Sequence, residues 1–80
     1  MSRFEYIHWR RSVFERDLFK CKLCKKGGRV EAHHIYRWAD FPELRYELSN
    51  GITLCKSCHP IKKEDELVMV DLFIGLINKQ

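Results

Sequence analysis

Two matched pairs of cysteines constrain this chain more than any other feature of its sequence. Cys21 and Cys24 form the first CxxC pair, and Cys55 and Cys58 form the second. Each pair can direct two thiolates at one tetrahedral ion, and four cysteines in this pattern are typical of a structural zinc site. In an 80-residue chain apolar burial roughly balances conformational entropy, so a metal held only by the folded state would add the stability that is missing. We therefore predict one small zinc-clamped domain over residues 1–80.

Three other roles for the cysteines stay open at this point. Two disulfides would need an oxidising compartment, a rubredoxin-like iron site uses similar pairs, and a thioredoxin-like dithiol needs a single pair. The start of the chain carries charges where a secretory signal would be apolar, so we expect a cytoplasmic protein with reduced thiols. Four lysines beside the pairs should favour thiolates: Lys22, Lys25, Lys26 and Lys56.

The N-terminal segment has the periodicity of a helix. Four apolar residues recur at helical spacing: Phe4, Ile7, Phe14 and Leu18. We predict a helix that ends near Leu18, with a capping box formed by Ser2 and Glu5 at its start. The other face of this helix is either solvated or in contact with phosphates, and it carries Arg3, Arg10, Arg11 and Arg16.

The middle of the chain predicts a two-stranded ribbon. A first strand is expected over residues 29–36, and the turn signal Asn50-Gly51 leads into a second strand over residues 52–54. Between them, Pro42 fits the first turn of a short helix over residues 41–46. With the flanking helices, the fold class is predicted to be α+β.

The last segment predicts a helix from residue 60 or 61 to Asn78. Between Leu67 and Ile77 this helix is apolar on nearly every side, so a single amphipathic face cannot account for it. We expect it to pack against the N-terminal helix, and the alternative is a homodimer or another protein partner. Asp71 interrupts the apolar stretch, which is well short of the roughly 20 residues needed to cross a bilayer, so no membrane partner is expected.

With the cysteines assigned to zinc, three histidines need another explanation: His33, His34 and His59. The two cysteine pairs should bring His59 close to the strand that carries His33 and His34. Imidazoles clustered without cysteine suit a second, exchangeable divalent metal. Neighbouring residues of a regular strand point to opposite faces, so both strand histidines can serve one site only if the strand bends. His8 is predicted to be a helix-surface residue.

The order of these residues resembles the HNH endonuclease family, the ββα-metal nucleases, in the small bacteriophage and bacterial form that carries a four-cysteine zinc. The resemblance runs from about Arg11 to Lys63, with a core motif over residues 21–63. It includes the His33-His34 pair, Asn50 and the run from Cys55 to His59. It implies a zinc-clamped ββα domain with an N-terminal helix and a C-terminal apolar helix.

The resemblance also implies a role for each residue of the motif. His34 would be the general base that takes a proton from the attacking water, and Asn50 would fix the loop between the strands and help orient His34. His33 and His59 would bind a catalytic divalent ion such as Mg²⁺, Mn²⁺, Ni²⁺ or Zn²⁺. Relatives of this kind leave a 5′-phosphate and a 3′-hydroxyl. Some relatives have a third histidine where this chain has Lys63. In this chain, water and substrate phosphate would therefore complete the coordination shell of the catalytic ion.

The charge balance favours a polyanionic partner. The formal net charge is +4 and the sequence pI is near 9.0, a mild bias toward polyanions such as nucleic acid or anionic lipid, although an ordinary soluble surface can carry the same charge. We predict a DNA substrate, with phosphate contacts from Lys62, Lys63 and Arg37, and Arg45 as a weaker candidate. Phosphate contacts position a duplex without reading its bases, so nicking or weakly specific cutting is expected. The alternatives are an RNA nuclease or toxin, and a non-catalytic zinc module that binds DNA or protein.

Overall fold

Two helices flank a two-stranded ribbon in the computed structural model of the chain, which describes residues 3–59 and 63–78 and leaves the side chains of residues 63–67 undescribed. The four main elements are α1 (Arg3–Arg16), β1 (Val30–His34), β2 (Gly51–Cys55) and α2 (Lys63–Asn78). Two short 3-10 helices, Pro42–Leu44 and Leu48–Asn50, lie in the loop between the strands. The predicted α+β class and the order of its elements are confirmed.

The ribbon is antiparallel and its register sorts the side chains onto two faces. Val30 lies opposite Cys55 at one end, and His34 lies opposite Gly51 at the other. Because side chains alternate along a strand, Ile52 and Leu54 share the face that packs against α2. The opposite face meets α1. The two helices therefore cover opposite sides of the ribbon.

The face of α1 that packs on the ribbon is formed by Trp9, Val13 and Phe14, all of which are buried. Phe14 was expected in the core, but the other three apolar positions of the predicted pattern are exposed: Phe4 at 84%, Ile7 at 51% and Leu18 at 74%. At about 100° per residue, Phe4 and Ile7 lie about 120° or more around the helix axis from Trp9 and Val13, so they point away from the ribbon. Leu18 lies beyond the end of the helix.

The end of α1 is fixed to β2 by a buried ion pair. The helix stops at Arg16, two residues before the predicted end, because Leu18 and Phe19 both adopt positive φ angles. Arg16 donates to both carboxylate oxygens of Asp17 at 2.8 Å, and Asp17 Oδ2 accepts the backbone N–H of Thr53 at 2.9 Å. The proposed capping box at Ser2 lies outside the described residues.

The second helix packs on the ribbon, so the prediction that it packs against α1 is wrong. Phe73 and Ile77 of α2 join Ile52 and Leu54 in one buried cluster. The ribbon lies between the two helices, with Ile52 and Leu54 toward α2 and Gly51 and Thr53 toward α1. On the far side of α2, Val68 is 81% exposed. Among the described residues, no helix is long and apolar enough to span a membrane.

Candidate functional site

The four cysteines converge beside the end of the ribbon where β2 finishes. Their Sγ atoms all lie within 4.8 Å of one another, and those of Cys24 and Cys55 are 3.5 Å apart. Four sulfurs bound to one tetrahedral zinc ion at about 2.3 Å would be separated by about 3.8 Å. The cluster therefore has the donor set and the size of a four-cysteine zinc site, as the spacing of the two CxxC pairs predicted.

Local turns make each cysteine pair point at the same place. In the first pair, the carbonyl of Cys21 accepts the N–H of Lys25 at 2.9 Å, and Lys25 adopts a φ of 68°. In the second pair, the carbonyl of Cys55 accepts the N–H groups of Cys58 and His59, both at 3.0 Å. The second turn thus places His59 directly beyond the last sulfur.

Without a cation, the four sulfurs do not ionise together. Burial alone would raise the pKa of Cys21, but backbone N–H groups of the two turns outweigh it and lower the pKa to about 6. The neighbouring side chain of Cys55, together with burial, raises the pKa of Cys58 to about 12. A divalent ion stabilises coordinated thiolates directly, so it would lower the pKa of all four cysteines and allow them to be deprotonated together.

The three motif histidines line one cleft of about 340 Å³ at the end of β1. His34 turns toward α1 and stacks on Trp9, whereas the ring of His33 meets the edge of Phe73 in α2. The two side chains therefore use opposite faces of the ribbon. Both border the same cleft because the strand ends at His34 and the backbone bends at the next two residues.

The orientation of His34 is set by its neighbours. Its Nε2 lies 2.9 Å from the backbone carbonyl oxygen of Arg45. Because a carbonyl oxygen can only accept, Nε2 carries the proton and the neutral ring keeps its lone pair on Nδ1. Burial is the main cause that lowers the pKa of His34, so the imidazole is neutral at pH 7.

His33 and His59 form an edge-to-face pair with ring centroids 4.8 Å apart. His33 is 5% exposed, and its Nε2 is buried with no hydrogen-bond partner in the described part of the chain. Burial, followed by electrostatic repulsion from the nearby imidazoles of His59 and His34, lowers the pKa of His33 to about 4. A neutral imidazole nitrogen that is buried and unpaired fits a metal ligand, because coordination would satisfy it.

Asn50 fastens the loop between the strands. Its side-chain carbonyl accepts the N–H of Tyr36 at 2.7 Å, and its amide donates to the carbonyls of Tyr36 and Leu44, both at 3.1 Å. Leu44 precedes Arg45, whose carbonyl binds His34. Asn50 is thus connected to His34 through the backbone of the loop.

Three residues that lie beside the motif histidines were not predicted from the sequence to belong to the site: Trp9, Trp38 and Glu31. Trp9 and Trp38 both contact the ring of His34, at centroid distances of 3.9 Å and 5.2 Å. Glu31 Oε2 lies 3.9 Å from Nε2 of His59. Strand alternation could have indicated Glu31, because it lies two residues before His33 on the same face.

The predicted phosphate contacts are described only in part. Arg37 lines the cleft, and its guanidinium lies 3.3 Å from a carboxylate oxygen of Asp40. Lys62 and the side chain of Lys63 lie outside the described residues. Arg45 donates to the carbonyl of Trp38 at 2.8 Å and covers that indole at 4.5 Å, so it supports the cleft wall.

Comparison with known proteins gave one finding. The family model described as HNH endonuclease matches residues 21–65, which is more than half of the 80-residue chain. The matched range begins at the first cysteine and includes both strands, the cleft histidines and the second cysteine pair. Searches of curated proteins and of solved structures found no match.

Proposed function

The chain belongs to the HNH endonuclease family, and from this premise we propose that it is a metal-dependent endonuclease that hydrolyses DNA phosphodiester bonds. The observation that carries the proposal is the cleft in which His33, His34 and His59 meet. With about 30 Å³ for each water, its volume leaves room for a hydrated ion beside a phosphate group.

His34 acts as the general base in this proposal. The hydrogen bond from Nε2 to the carbonyl of Arg45 leaves Nδ1 as the proton acceptor. A neutral imidazole can take a proton from water near pH 7, and a positioned general base of this kind contributes about 10²- to 10⁴-fold in rate. Asn50 supports His34 by holding the loop that supplies this carbonyl.

His33 and His59 hold the catalytic divalent metal in this proposal. The support is the unpaired, buried Nε2 of His33 and its edge-to-face contact with the ring of His59. A bound divalent ion supplies Lewis-acid stabilisation of the charge that develops on the phosphate and the leaving oxygen. Glu31 lies beside His59 and is positioned to orient its ring.

The four cysteines hold a structural zinc ion in this proposal, and their clustered sulfurs support it. Residues 1–80 are proposed to form a single domain, with nicking or weakly specific duplex cleavage as the activity. Arg37 lies at the cleft and is proposed to contact a substrate phosphate, together with Lys62 and Lys63 from the undescribed part of the site. The expected products carry a 5′-phosphate and a 3′-hydroxyl.

The test is nicking of supercoiled plasmid after loosely bound metal has been removed with a chelator. Mg²⁺, Mn²⁺, Ni²⁺ or Zn²⁺ is then added back, and His34→Ala is compared with His8→Ala, a control histidine exposed on α1. We expect metal-dependent nicking by the wild type and His8→Ala, and loss of nicking in His34→Ala with fold and zinc content retained.

Two additional assays identify the products and the substrate. Sealing of the nicks by DNA ligase requires a 5′-phosphate beside a 3′-hydroxyl, so resealing supports the proposed products. Parallel digestion of single-stranded DNA and RNA separates a DNase from an RNase. A folded, zinc-loaded protein that cleaves no nucleic acid with any of the four metals would favour the non-catalytic zinc module.

A further inference from the structure

We propose that Trp9 is a positioning residue for His34, whose imidazole plane it fixes for proton transfer. This inference rests on the proposed function, because it concerns the residue to which we assign the general base. Trp9 belongs to α1, which lies outside the range 21–65 matched by the family model. The family assignment therefore gives Trp9 no role.

The contact between the two rings is close and nearly parallel. The ring centroids of Trp9 and His34 are 3.9 Å apart, and the planes differ by 10°. Aromatic pairs in proteins more often have centroids about 4.5–7 Å apart with offset or edge-to-face geometry. Trp9 is 2% exposed, so the indole cannot leave the imidazole without opening the contact between α1 and the ribbon.

The two stacked rings are also held by the same short loop. His34 Nε2 donates to the carbonyl of Arg45, and Trp9 Nε1 donates to the carbonyl of Glu47, both at 2.9 Å. The hydrogen bond of His34 fixes one edge of its ring but still allows the ring to rock about that bond. The indole face blocks this rocking, so the direction of Nδ1 is defined.

A second tryptophan supports the same loop from the cleft side. The rings of Trp38 and His34 form a T-shaped contact with a centroid distance of 5.2 Å. Trp38 is held in turn by Arg45, whose guanidinium covers the indole. The imidazole therefore contacts both indoles, and the loop that fixes Nε2 is tied to both tryptophans.

A positioning role requires the flat aromatic face of Trp9, whereas a purely structural role requires only apolar volume. Variants that keep or remove the aromatic face therefore distinguish the two roles. Trp9→Phe keeps an aromatic face but loses the hydrogen bond to Glu47 and part of the ring area. Trp9→Leu keeps apolar bulk but removes the face. Phe14→Leu is the matched control, because Phe14 is a buried aromatic residue of α1 that contacts Phe19 and Arg10.

The kinetic test measures kcat and KM for cleavage of a labelled DNA duplex by these variants. We expect Trp9→Leu to lower kcat by about 10- to 100-fold with little change in KM, since misplacing a reacting group costs rate and not ground-state binding. Trp9→Phe should restore most of the rate, and Phe14→Leu should keep a kcat near that of the wild type. A Trp9→Leu enzyme with unchanged kcat, or an equal loss in Phe14→Leu, would overturn the proposal.

An NMR measurement tests the same geometry without using activity. The imidazole proton resonances of His34, assigned from their absence in His34→Ala, should be shifted upfield by the indole ring current and should remain shifted in Trp9→Phe. If Trp9→Leu does not fold, the spectra of the wild type and of Trp9→Phe decide the outcome. Unshifted His34 resonances in these two proteins would contradict the stack. If the resonances are shifted but the wild type cleaves no DNA, the nuclease proposal fails and the positioning role fails with it, although the stack itself is confirmed.

Discussion

The side-chain amide of Asn50 donates a hydrogen bond to the carbonyl oxygen of Leu44, one residue before the carbonyl that binds His34. Asn50 is 3% exposed and makes two more hydrogen bonds, both to the backbone of Tyr36. One buried side chain therefore determines where two separate turns of the loop lie.

Replacing Asn50 with Ala should destabilise the fold and slow cleavage. The change leaves the N–H and the carbonyl of Tyr36 without these partners and removes one of the two hydrogen bonds to the carbonyl of Leu44, which still accepts the N–H of Glu47. This should lower the free energy of unfolding by about 2–4 kcal/mol. Urea denaturation measures this loss. Asn78→Ala, at the exposed end of α2, is the matched control and should change stability by less than about 0.5 kcal/mol. Equal stabilities for the two variants would contradict the role of Asn50.

Replacing Asp17 with Ala should remove the main connection between α1 and β2. The carboxylate is fully buried, and its loss leaves the N–H of Thr53 and part of the Arg16 guanidinium unpaired. We expect a loss of about 2–4 kcal/mol in the free energy of unfolding. Asp40→Ala breaks a surface ion pair with Arg37 and should cost about 0–1 kcal/mol. Thermal and urea unfolding of both variants would test the difference.

Gly51 and Gly75 should respond in opposite ways to alanine. A Cβ at Gly51 would overlap Val13 Cγ2 and lie 2.9 Å from Trp9 Cζ2, so α1 would have to shift. We expect a loss of about 1–3 kcal/mol and slower cleavage, because Trp9 would move with the helix. A Cβ at Gly75 meets nothing within 4 Å, so Gly75→Ala in α2 should stabilise by about 0.5–1 kcal/mol. A neutral Gly51→Ala variant would show that α1 is not closely packed there.

Replacing Cys21 with Ser should abolish zinc binding and folding together. Cys21 is fully buried and lies both in the sulfur cluster and in the apolar core. We expect less than one zinc ion per chain by atomic emission, and no cooperative thermal transition. Ser57→Ala changes a residue between the last two cysteines without removing a sulfur, so it should keep both properties. Unchanged zinc content and melting temperature in Cys21→Ser would refute the zinc proposal.

The local parts of the architecture could be predicted from the sequence. The two CxxC pairs determine their own turns, and the strand and helix patterns of this chain depend on neighbours within a few residues. The buried face of α1 could not be predicted in full, because the choice between two apolar sides of this helix depends on a ribbon formed later in the chain. Phe4 and Ile7 have the spacing of core residues, but the ribbon packs on the other side of the helix, which carries Trp9 and Val13.

The cleft was predictable in its histidines but not in what holds them. The His33-His34 pair and His59 are motif positions that can be recognised along the chain. By contrast, the stack of Trp9 on His34 joins residues from separate elements. The hydrogen bond from His34 goes to a backbone carbonyl, which any residue at position 45 could supply. Contacts of this kind have no local sequence signature.

The pairing of the ribbon also determines which of two adjacent, chemically identical side chains faces which helix. Val30 lies opposite Cys55, whose sulfur belongs to the cysteine cluster, and His33 and His34 follow at fixed steps from that pair. A slip of one residue would exchange the faces of the two imidazoles, so that His33 would meet α1 and His34 would meet α2. Insertions in the loop between the strands should therefore be tolerated more readily than one extra residue between Val30 and His33. The cysteine cluster at one end of the ribbon therefore fixes the position of His34 at the other end.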